Sequence, residues 1–279
     1  MKKILLLTDF SENSLNAIEY ALQFFKKWQC KFFILHVQKT SEYITDDLMA
    51  AKPGKIVYQA VLENAQNELT ELILQIQQEH KNSKYEFQPL LDYDNLTDAI
   101  EQAVNANDID LIVMGSNGAT GAQEVIFGSN TLHVIRNINN CILVVPEKYI
   151  FQGINSVLFS IHHDQEIKTE ALDILKDVLI KHNANLNALL VLEEKNKEKE
   201  KSFNSLLSSK FKQIPTKSNI VIGLDFPEAI SAYVQLSKID LHALVIEKEK
   251  ILDRIFYGSI TKAISEHTQM PLLVLPHEK

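Results

Sequence analysis

The chain repeats itself at a fixed interval, and this repeat constrains its fold more than any other feature of the sequence. Four short segments recur 130 residues further along. The matched segments are Ala99-Ile100 and Ala229-Ile230, Ile109-Asp110-Leu111 and Ile239-Asp240-Leu241, Phe127-Gly128-Ser129 and Tyr257-Gly258-Ser259, and Pro146 and Pro276. A repeat of this length indicates duplication of a whole domain. We therefore predict two tandem domains, residues 1–147 and 154–279.

Short apolar runs alternate with amphipathic segments along the first half. The pattern predicts strands at 4–7, 31–37, 85–90, 110–114 and 141–146, and helices at 14–27, 57–81, 95–105 and 129–137. The second half restarts with a strand at 156–161, a helix at 170–181 and a strand at 187–192. Near-continuous apolar strands separated by helices are typical of parallel sheets covered on both faces. The fold class is therefore α/β, with two tandem doubly wound domains, each containing a five-stranded parallel sheet.

The composition argues against several classes of partner. The net charge of −8 disfavours binding to nucleic acid or to an anionic membrane surface. No apolar run approaches the roughly 18 residues that a membrane helix needs, and Ile4-Leu5-Leu6-Leu7 is too short for a signal peptide. Cys30 and Cys141 lack any metal-binding or CxxC spacing. We predict a cytoplasmic protein with two reduced cysteines.

Three glycines follow the fourth strand with the spacing Gly115-x2-Gly118-x9-Gly128-Ser129. Gly115 is suited to a tight turn, and Gly118 lets the backbone approach a phosphate closely. Gly128-Ser129 opens a helix whose first N–H groups and positive dipole end favour an anion. Ser129 also has a purely structural interpretation as the helix N-cap.

This loop resembles the ATP-binding signature of the universal stress protein family. The matching segments are Met114-Gly115-Ser116-Asn117-Gly118, nine further residues, and Gly128-Ser129-Asn130-Thr131. The start Leu7-Thr8-Asp9-Phe10-Ser11-Glu12 resembles the first strand and loop of that family, and His36-Val37 the end of its second strand. The resemblance covers the chain as two tandem domains of the adenine nucleotide alpha hydrolase-like fold, and it is weaker in the second.

The resemblance implies a role for each matching residue. Asp9 contacts the adenosine, and the backbone of Val37 contacts the adenine. The ribose and phosphates are held by Gly115, Asn117 and Gly118, and the phosphates also by Gly128, Ser129, Asn130 and Thr131. Thr8 and Met114 complete the candidate nucleotide-binding set. Mg²⁺ accompanies ATP, held chiefly by phosphates and water. Asn117 stands where the family often has histidine, and Asp9 has an alternative interpretation as a turn or capping residue.

The second half departs from this pattern. Val245 and Lys248 stand at the constant offset from Gly115 and Gly118, and a local shift of two residues gives Glu247 and Lys250 instead. Either His162 or His163 replaces Asp9, while Glu247 and Glu249 repel a triphosphate. Of the loop, Gly258-Ser259 alone survives. We predict that the second domain has lost nucleotide binding and packs as a pseudo-symmetric partner.

Other patterns carry weaker predictions. A metal site at His162-His163-Asp164 is disfavoured because adjacent strand residues point to opposite faces. Asp92, Asp94 and Asp98 lack the spacing of a calcium loop and are interpreted as a solvated loop. No P-loop, GxGxxG or GxSxG motif is present, so no lysine is placed to drive phosphoryl transfer.

These observations favour a tandem regulator or sensor in stress physiology that binds one ATP in its first domain and hydrolyses it slowly at most. One alternative is an interaction module that keeps the loop only for folding and binds an unidentified protein. The other is an ATPase or adenylate-forming enzyme. In dimers of the family the last strands pair across the interface. We therefore expect Ile142–Val145 to pair with Leu272–Leu275 within one chain, which forms an internal pseudo-dimer. A homodimer of two such chains, with four domains, is left open by the sequence.

Overall fold

A computed structural model describes residues 1–38, 54–117, 127–162, 169–246 and 270–276; of residues 54–62 and 246 it describes the backbone. The strands are β1 (Lys2–Thr8), β2 (Cys30–Val37), β3 (Tyr85–Asp92), β4 (Leu111–Gly115), β5 (Cys141–Val145), β6 (Ser156–His162), β7 (Asn185–Leu192), β8 (Thr216–Ile222), β9 (Leu241–Ile246) and β10 (Leu272–Pro276). Seven helices lie in the same ranges: α1 (Glu12–Phe24), α2 (Gly54–Glu79), α3 (Leu96–Asn107), α4 (Ser129–Asn137), α5 (Thr169–His182), α6 (Lys197–Lys210) and α7 (Phe226–Leu236).

All ten strands belong to one sheet, in the order β3-β2-β1-β4-β5-β10-β9-β6-β7-β8. The five strands of each half are parallel to one another, as the apolar runs predicted. The two sets do not form separate sheets, because β5 and β10 pair antiparallel at the centre. Leu143 lies opposite Leu273 there. This confirms the predicted pairing of the last strands within one chain.

The strand registers fix which residues of the two halves correspond. Ile112 pairs with Ile142, and His242 pairs with Leu272. Each residue of the second pair lies 130 positions after its counterpart, so the 130-residue offset holds along β4 and β9. Ile4 pairs with Leu111 and Val157 with Leu241, so Ile4 corresponds to Val157. Counting five residues on, Asp9 corresponds to His162. The registers of the sheet thus support the constant offset through Val245 and give no support to a two-residue shift.

Two hydrophobic cores cover the faces of the sheet, and each contains residues from both halves. Helices α1, α2, α5 and α6 supply one core, and α3, α4 and α7 the other, so the sheet is doubly wound. An aromatic seam joins the halves: His182 of α5 packs 4.8 Å from the Phe24 ring and 5.3 Å from the Trp28 ring. Lys2 adds an ion pair to Asp177 at 3.1 Å.

Local sequence explains the starts of two helices near the carboxyl ends of the strands. Ser11 caps α1 by accepting a hydrogen bond from the Ser14 amide at 3.3 Å. Asn95 caps α3 by accepting from the Asp98 amide at 3.0 Å. Both caps hold the preceding turn, so the chain enters each helix at a defined angle beside the sheet edge.

Candidate functional site

The first half has its topological switch point between β1 and β4. The chain continues from β1 to β2 on one side, and β4 and β5 lie on the other. Ligands of open parallel sheets bind beyond the carboxyl ends of the strands at such a point. Leu6 lies opposite Val113, so Thr8 and Gly115, each two residues further on, end the two strands side by side. The structure therefore brings the two predicted segments together.

Gly115 is a glycine for reasons of space. A β-carbon built on it meets Asn13 of α1, at 2.7 Å from Nδ2 and 3.0 Å from Cγ, a distance that forces one group to move. Its φ lies outside the left-handed region, so the tight turn predicted for Gly115 is not the cause. Asn13 also donates a hydrogen bond from Nδ2 to the Asn117 carbonyl oxygen. The end of β4 thus packs directly on the first turn of α1.

Helix α4 starts beside this strand end. The Gly128 amide donates to the Ser116 carbonyl at 2.8 Å, and the Leu132 amide makes the first intrahelical bond, to Gly128. The amides of Ser129 and Asn130 come before that bond, where helix N–H groups lack helical partners. Gly128 occupies the N-cap position and has no side chain with which to cap them. The interpretation of Ser129 as the N-cap is therefore wrong, because Ser129 is already the first helical residue.

Thr131 joins the helix to the loop. Its side chain is buried, and its hydroxyl lies 3.1 Å from the Gly115 carbonyl oxygen and 3.0 Å from that of Ser116. The Ser116 amide in turn donates to the Val145 carbonyl at 2.9 Å. In this geometry the Thr131 hydroxyl donates to the backbone of β4. It fixes the distance between the strand end and the start of α4.

The turn after β1 is held by its own polar side chains. Asp9 is exposed, and its Oδ1 accepts from the Ser11 amide at 3.1 Å and from the Ser11 hydroxyl at 2.5 Å. The Thr8 hydroxyl accepts from the Phe10 amide at 3.0 Å. Phe10 has a φ of 60°, uncommon for a bulky residue. Asp9 therefore has the turn-forming role that was its alternative interpretation, and it lies at the switch point as well.

The end of β2 contributes backbone groups. The Gln38 amide donates to the Asp92 carbonyl at 2.8 Å, toward β3. Because successive residues of a strand direct their backbone groups to opposite sides, the Val37 amide and carbonyl point toward β1. That strand ends at Thr8, so the Val37 carbonyl lies at the switch point. His36 supports the arrangement by donating from Nδ1 to the Thr8 carbonyl at 2.9 Å.

Some of the remaining predicted site residues are described by the structure and others are not. Met114 is buried on β4 below Gly115, and Asn117 is the last described residue before a gap. Gly118 lies outside the described residues, as do His163, Asp164, Glu247, Lys248, Glu249, Lys250, Gly258 and Ser259. Asn13 was not predicted as a site residue. Only its polar character at the helix start was visible, and its contact with a segment 104 residues away was not.

The second switch point, between β6 and β9, has apolar side chains at the equivalent positions. Ile161 replaces Thr8, Leu190 replaces His36 and Val245 replaces Gly115, and all three are buried. His162, in place of Asp9, has its ring 5.6 Å from that of Phe226 in an edge-to-face contact. At these three described positions the second half therefore keeps the strand arrangement, with apolar side chains in place of the Thr8 hydroxyl, the His36 imidazole and Gly115.

Other chemistry has little support. In the described ranges no group of three or more His, Cys, Asp or Glu side chains is placed to hold a metal. Asp92 instead forms a turn, its Oδ1 accepting from the Asp94 amide at 2.9 Å. Cys30 and Cys141 are buried and form no disulfide, and burial raises the pKa of the Cys30 thiol to about 12. Among the helices described, none is long and apolar enough to cross a bilayer.

Comparisons with known proteins agree with the fold and with the predicted family. The family model described as "Universal stress protein family" matches residues 1–146. Two universal stress proteins of Methanocaldococcus jannaschii, MJ0577 and MJ0531, are each 27% identical over 155 residues. These matches cover 53% and 52% of this chain and 96% and 82% of the relatives. A universal stress protein structure from Archaeoglobus fulgidus superposes with a TM-score of 0.71 at 18% identity, covering 99% of this chain and 97% of the other. The chain belongs to the universal stress protein family.

Proposed function

We propose that the first half binds one adenine nucleotide, ATP, at the β1–β4 switch point, and that the protein acts as a nucleotide-responsive regulator in the stress response. The observation that carries the proposal is the start of α4, with Gly128 at its N-cap, fastened to the end of β4 by the Gly128–Ser116 hydrogen bond. Backbone amides in this position suit an anion without requiring a positively charged side chain. An acidic chain is thereby compatible with a bound polyphosphate.

The residues present fit the two ends of a nucleotide. The amides of Ser129 and Asn130, with Gly128, Asn117 and Gly118, suit the phosphates. Asp9 and the Val37 backbone, across the switch point, suit the ribose and adenine. Thr131 and Thr8 then act as supports, since their hydroxyls are bonded within the protein. When present, Mg²⁺ neutralises phosphate charge, with phosphate oxygens and water as its chief ligands.

The function as a regulator rather than an enzyme is part of the same proposal. The chain has no P-loop lysine of the kind that cradles the β- and γ-phosphates in P-loop NTPases, so we expect slow hydrolysis at most. Two alternatives make different predictions. An interaction module that keeps the loop for folding binds a protein and no nucleotide, and an ATPase or adenylate-forming enzyme turns over at about 1 s⁻¹ or faster. We further propose that the protein is cytoplasmic and that its domains span residues 1–147 and 154–279. The nucleotide-bound state is then recognised by an unidentified protein partner or by a second copy of the chain.

Calorimetric titration of the full chain with ATP and Mg²⁺ tests the proposal. We expect saturable binding of one nucleotide per chain. The Gly128→Leu variant is expected to abolish binding while the fold persists, because a β-carbon at Gly128 meets its nearest described atom, Asn117 Cα, at 3.4 Å, an ordinary contact. The leucine side chain then occupies the space in front of the helix start.

Asp225→Leu provides the matched control. Asp225 is the N-cap of α7 in the second half, and it too makes no side-chain capping bond. Leucine at this second helix start is expected to leave ATP affinity unchanged. Absence of ATP and ADP binding at millimolar ligand contradicts the proposal and favours the interaction module. Turnover of about 1 s⁻¹ or more favours the enzyme.

A further inference from the structure

Asn13 is a buried amide placed between the two segments of the site. It is the second residue of α1 and is 7% exposed. Its Nδ2 donates to the Asn117 carbonyl, in the loop after β4. Helix α1 itself begins from the turn that contains Asp9, because Ser11 both bonds to Asp9 and caps the helix. One side chain therefore connects the Asp9 turn to the glycine loop.

The same side chain explains why position 115 is a glycine. A β-carbon there would come within 2.7 Å of Asn13 Nδ2, whereas the nearest described atom to one at Gly128 is Asn117 Cα, at 3.4 Å. The two glycines of the loop therefore have different causes. Among the described atoms, a β-carbon at Gly128 makes only ordinary contacts, whereas at Gly115 Asn13 fills the space that a β-carbon needs.

The oxygen of the Asn13 side-chain amide lies in an unfavourable environment. Asn13 Oδ1 is buried and accepts no hydrogen bond from the described part of the chain. Buried polar atoms in folded proteins are nearly always bonded, and an unbonded one is unfavourable for folding. An apolar side chain of the same shape at this position would remove that unfavourable acceptor. Folding stability alone does not account for asparagine here.

We propose that Asn13 is a positioning residue for the nucleotide site: it holds the Asn117 end of the glycine loop against α1, at a cost in stability. The inference rests on the proposed nucleotide binding. By fixing the Asn117 carbonyl, the Asn13 amide sets where the loop amides face the phosphates. Its fixed place also links the phosphate side of the site to the Asp9 turn.

The isosteric Asn13→Leu variant separates this role from a structural one. We expect ATP affinity to fall about tenfold, the equivalent of one net hydrogen bond, while the urea midpoint stays the same or rises. The Asn13→Gln variant keeps the amide and is expected to recover part of the affinity. A residue that only stabilised the fold would lose stability and affinity together, and that result would overturn the proposal.

A second measurement needs no nucleotide. Hydrogen exchange of the Gly128 amide reports the bond to Ser116 that closes the loop. In Asn13→Leu we expect this amide to exchange about tenfold faster, matching the loss of one hydrogen bond, while amides of β7 are unchanged. Unchanged exchange overturns the inference. If wild-type protein binds no ATP but exchange at Gly128 accelerates, the proposed function fails while the role of Asn13 in the loop stands.

The steric half of the inference is tested by a double variant. Gly115→Ala places a methyl group against Asn13 and is expected to lower the urea midpoint. Adding Asn13→Ala removes the atoms at 2.7 and 3.0 Å and leaves the Asn13 backbone oxygen at 3.2 Å. We therefore expect the double variant to regain part of the lost stability without regaining ATP affinity. A double variant whose losses simply add shows that the two positions are not coupled and overturns this part.

Discussion

The two switch points have the same strand arrangement and opposite chemistry. In the first half Thr8 and Gly115 are the last residues of their strands, and His36 is the last but one of β2. They supply a hydroxyl, no side chain and an imidazole. At the equivalent positions the second half has Ile161, Leu190 and Val245, all buried. Strand order and register are the same in both halves, so the backbone alone does not make a site. A few side chains at the strand ends decide what the edge of the sheet can bind.

We expect the largest effect on stability at the pairing of β5 with β10, where the two halves should be equivalent. Leu143 and Leu273 lie opposite each other and are fully buried. Replacing either by Ala is expected to cost about 3 kcal/mol, and the two costs should be similar. Urea unfolding measures both. Leu236→Ala, at a leucine that is 87% exposed, is the control and should change stability by less than about 0.5 kcal/mol. Clearly unequal costs would show that the junction is not symmetric in energy.

The next prediction transfers a second-half residue into the first. Gly115→Val introduces the residue of position 245, and its side chain overlaps Asn13. We expect ATP affinity to fall at least about a hundredfold, equivalent to about 2.7 kcal/mol. Calorimetric titration measures it, with Val245→Ala as the control in the other half. Retention of affinity in Gly115→Val would show that the glycine does not distinguish the halves.

A smaller effect is expected at the end of β1. Asp9→His introduces the equivalent residue of the second half and removes the carboxylate at the switch point. The expected loss is about tenfold in ATP affinity, equivalent to about 1.4 kcal/mol, measured by the same titration. The reverse substitution, His162→Asp, should create no second binding event, because Val245 remains. A second nucleotide bound by that variant would mean that a single acidic side chain is the whole difference.

The smallest effect concerns a buried polar pair in the second half. His242 Nε2 lies 2.7 Å from the Ser160 hydroxyl, and both residues are fully buried, whereas the equivalent residues of the first half are Ile112 and Leu7. Burial lowers the pKa of His242 to about 3. The folded state therefore keeps His242 neutral while the unfolded chain takes up a proton below about pH 6.5. Stability is consequently lost as the pH falls from about 6.5 toward 3.

Replacing the pair by its first-half counterparts tests that sign. Between pH 7.5 and 5.5 the wild type should lose about 1 kcal/mol through His242, and the Ser160→Leu/His242→Ile variant should lack this loss. Urea unfolding at the two pH values gives the difference. His182, whose pKa burial lowers to about 4, contributes a loss of the same sign in both proteins, so it cancels from the comparison. An equal pH dependence in both proteins would contradict the assignment to His242.

Much of the fold could be predicted because the signals are local or periodic. The helix predicted at 129–137 is α4 residue for residue. The resemblance to the family, in whose dimers the last strands pair, identified the strands that meet at the junction. Strand β8 was missed because its exposed start, Thr216-Lys217-Ser218, lacks the apolar run of a buried strand. Helix α1 begins at Glu12 and ends at Phe24, whereas the apolar spacing predicted a helix at 14–27.

The site was predicted only at the level of segments. The glycine spacing and the resemblance at Asp9 indicated where the loop and the first turn lie. The contacts that distinguish Gly115 from Gly128 depend on Asn13, which is remote in sequence. The buried Ser160–His242 pair was likewise invisible, because a polar residue in a strand pattern predicts exposure on one face. Long-range packing decides both cases.

The antiparallel junction at β5 and β10 has a consequence for how such a protein can change over time. When two separate copies of a chain meet through the same strand, every substitution appears in both partners at once. Here one polypeptide supplies both sides, so each side is free to vary alone. The second half can therefore have valine at position 245 while the first half keeps glycine at the equivalent position 115. Joining the halves in one chain is thus what permits an asymmetric protein to be built from a symmetric frame.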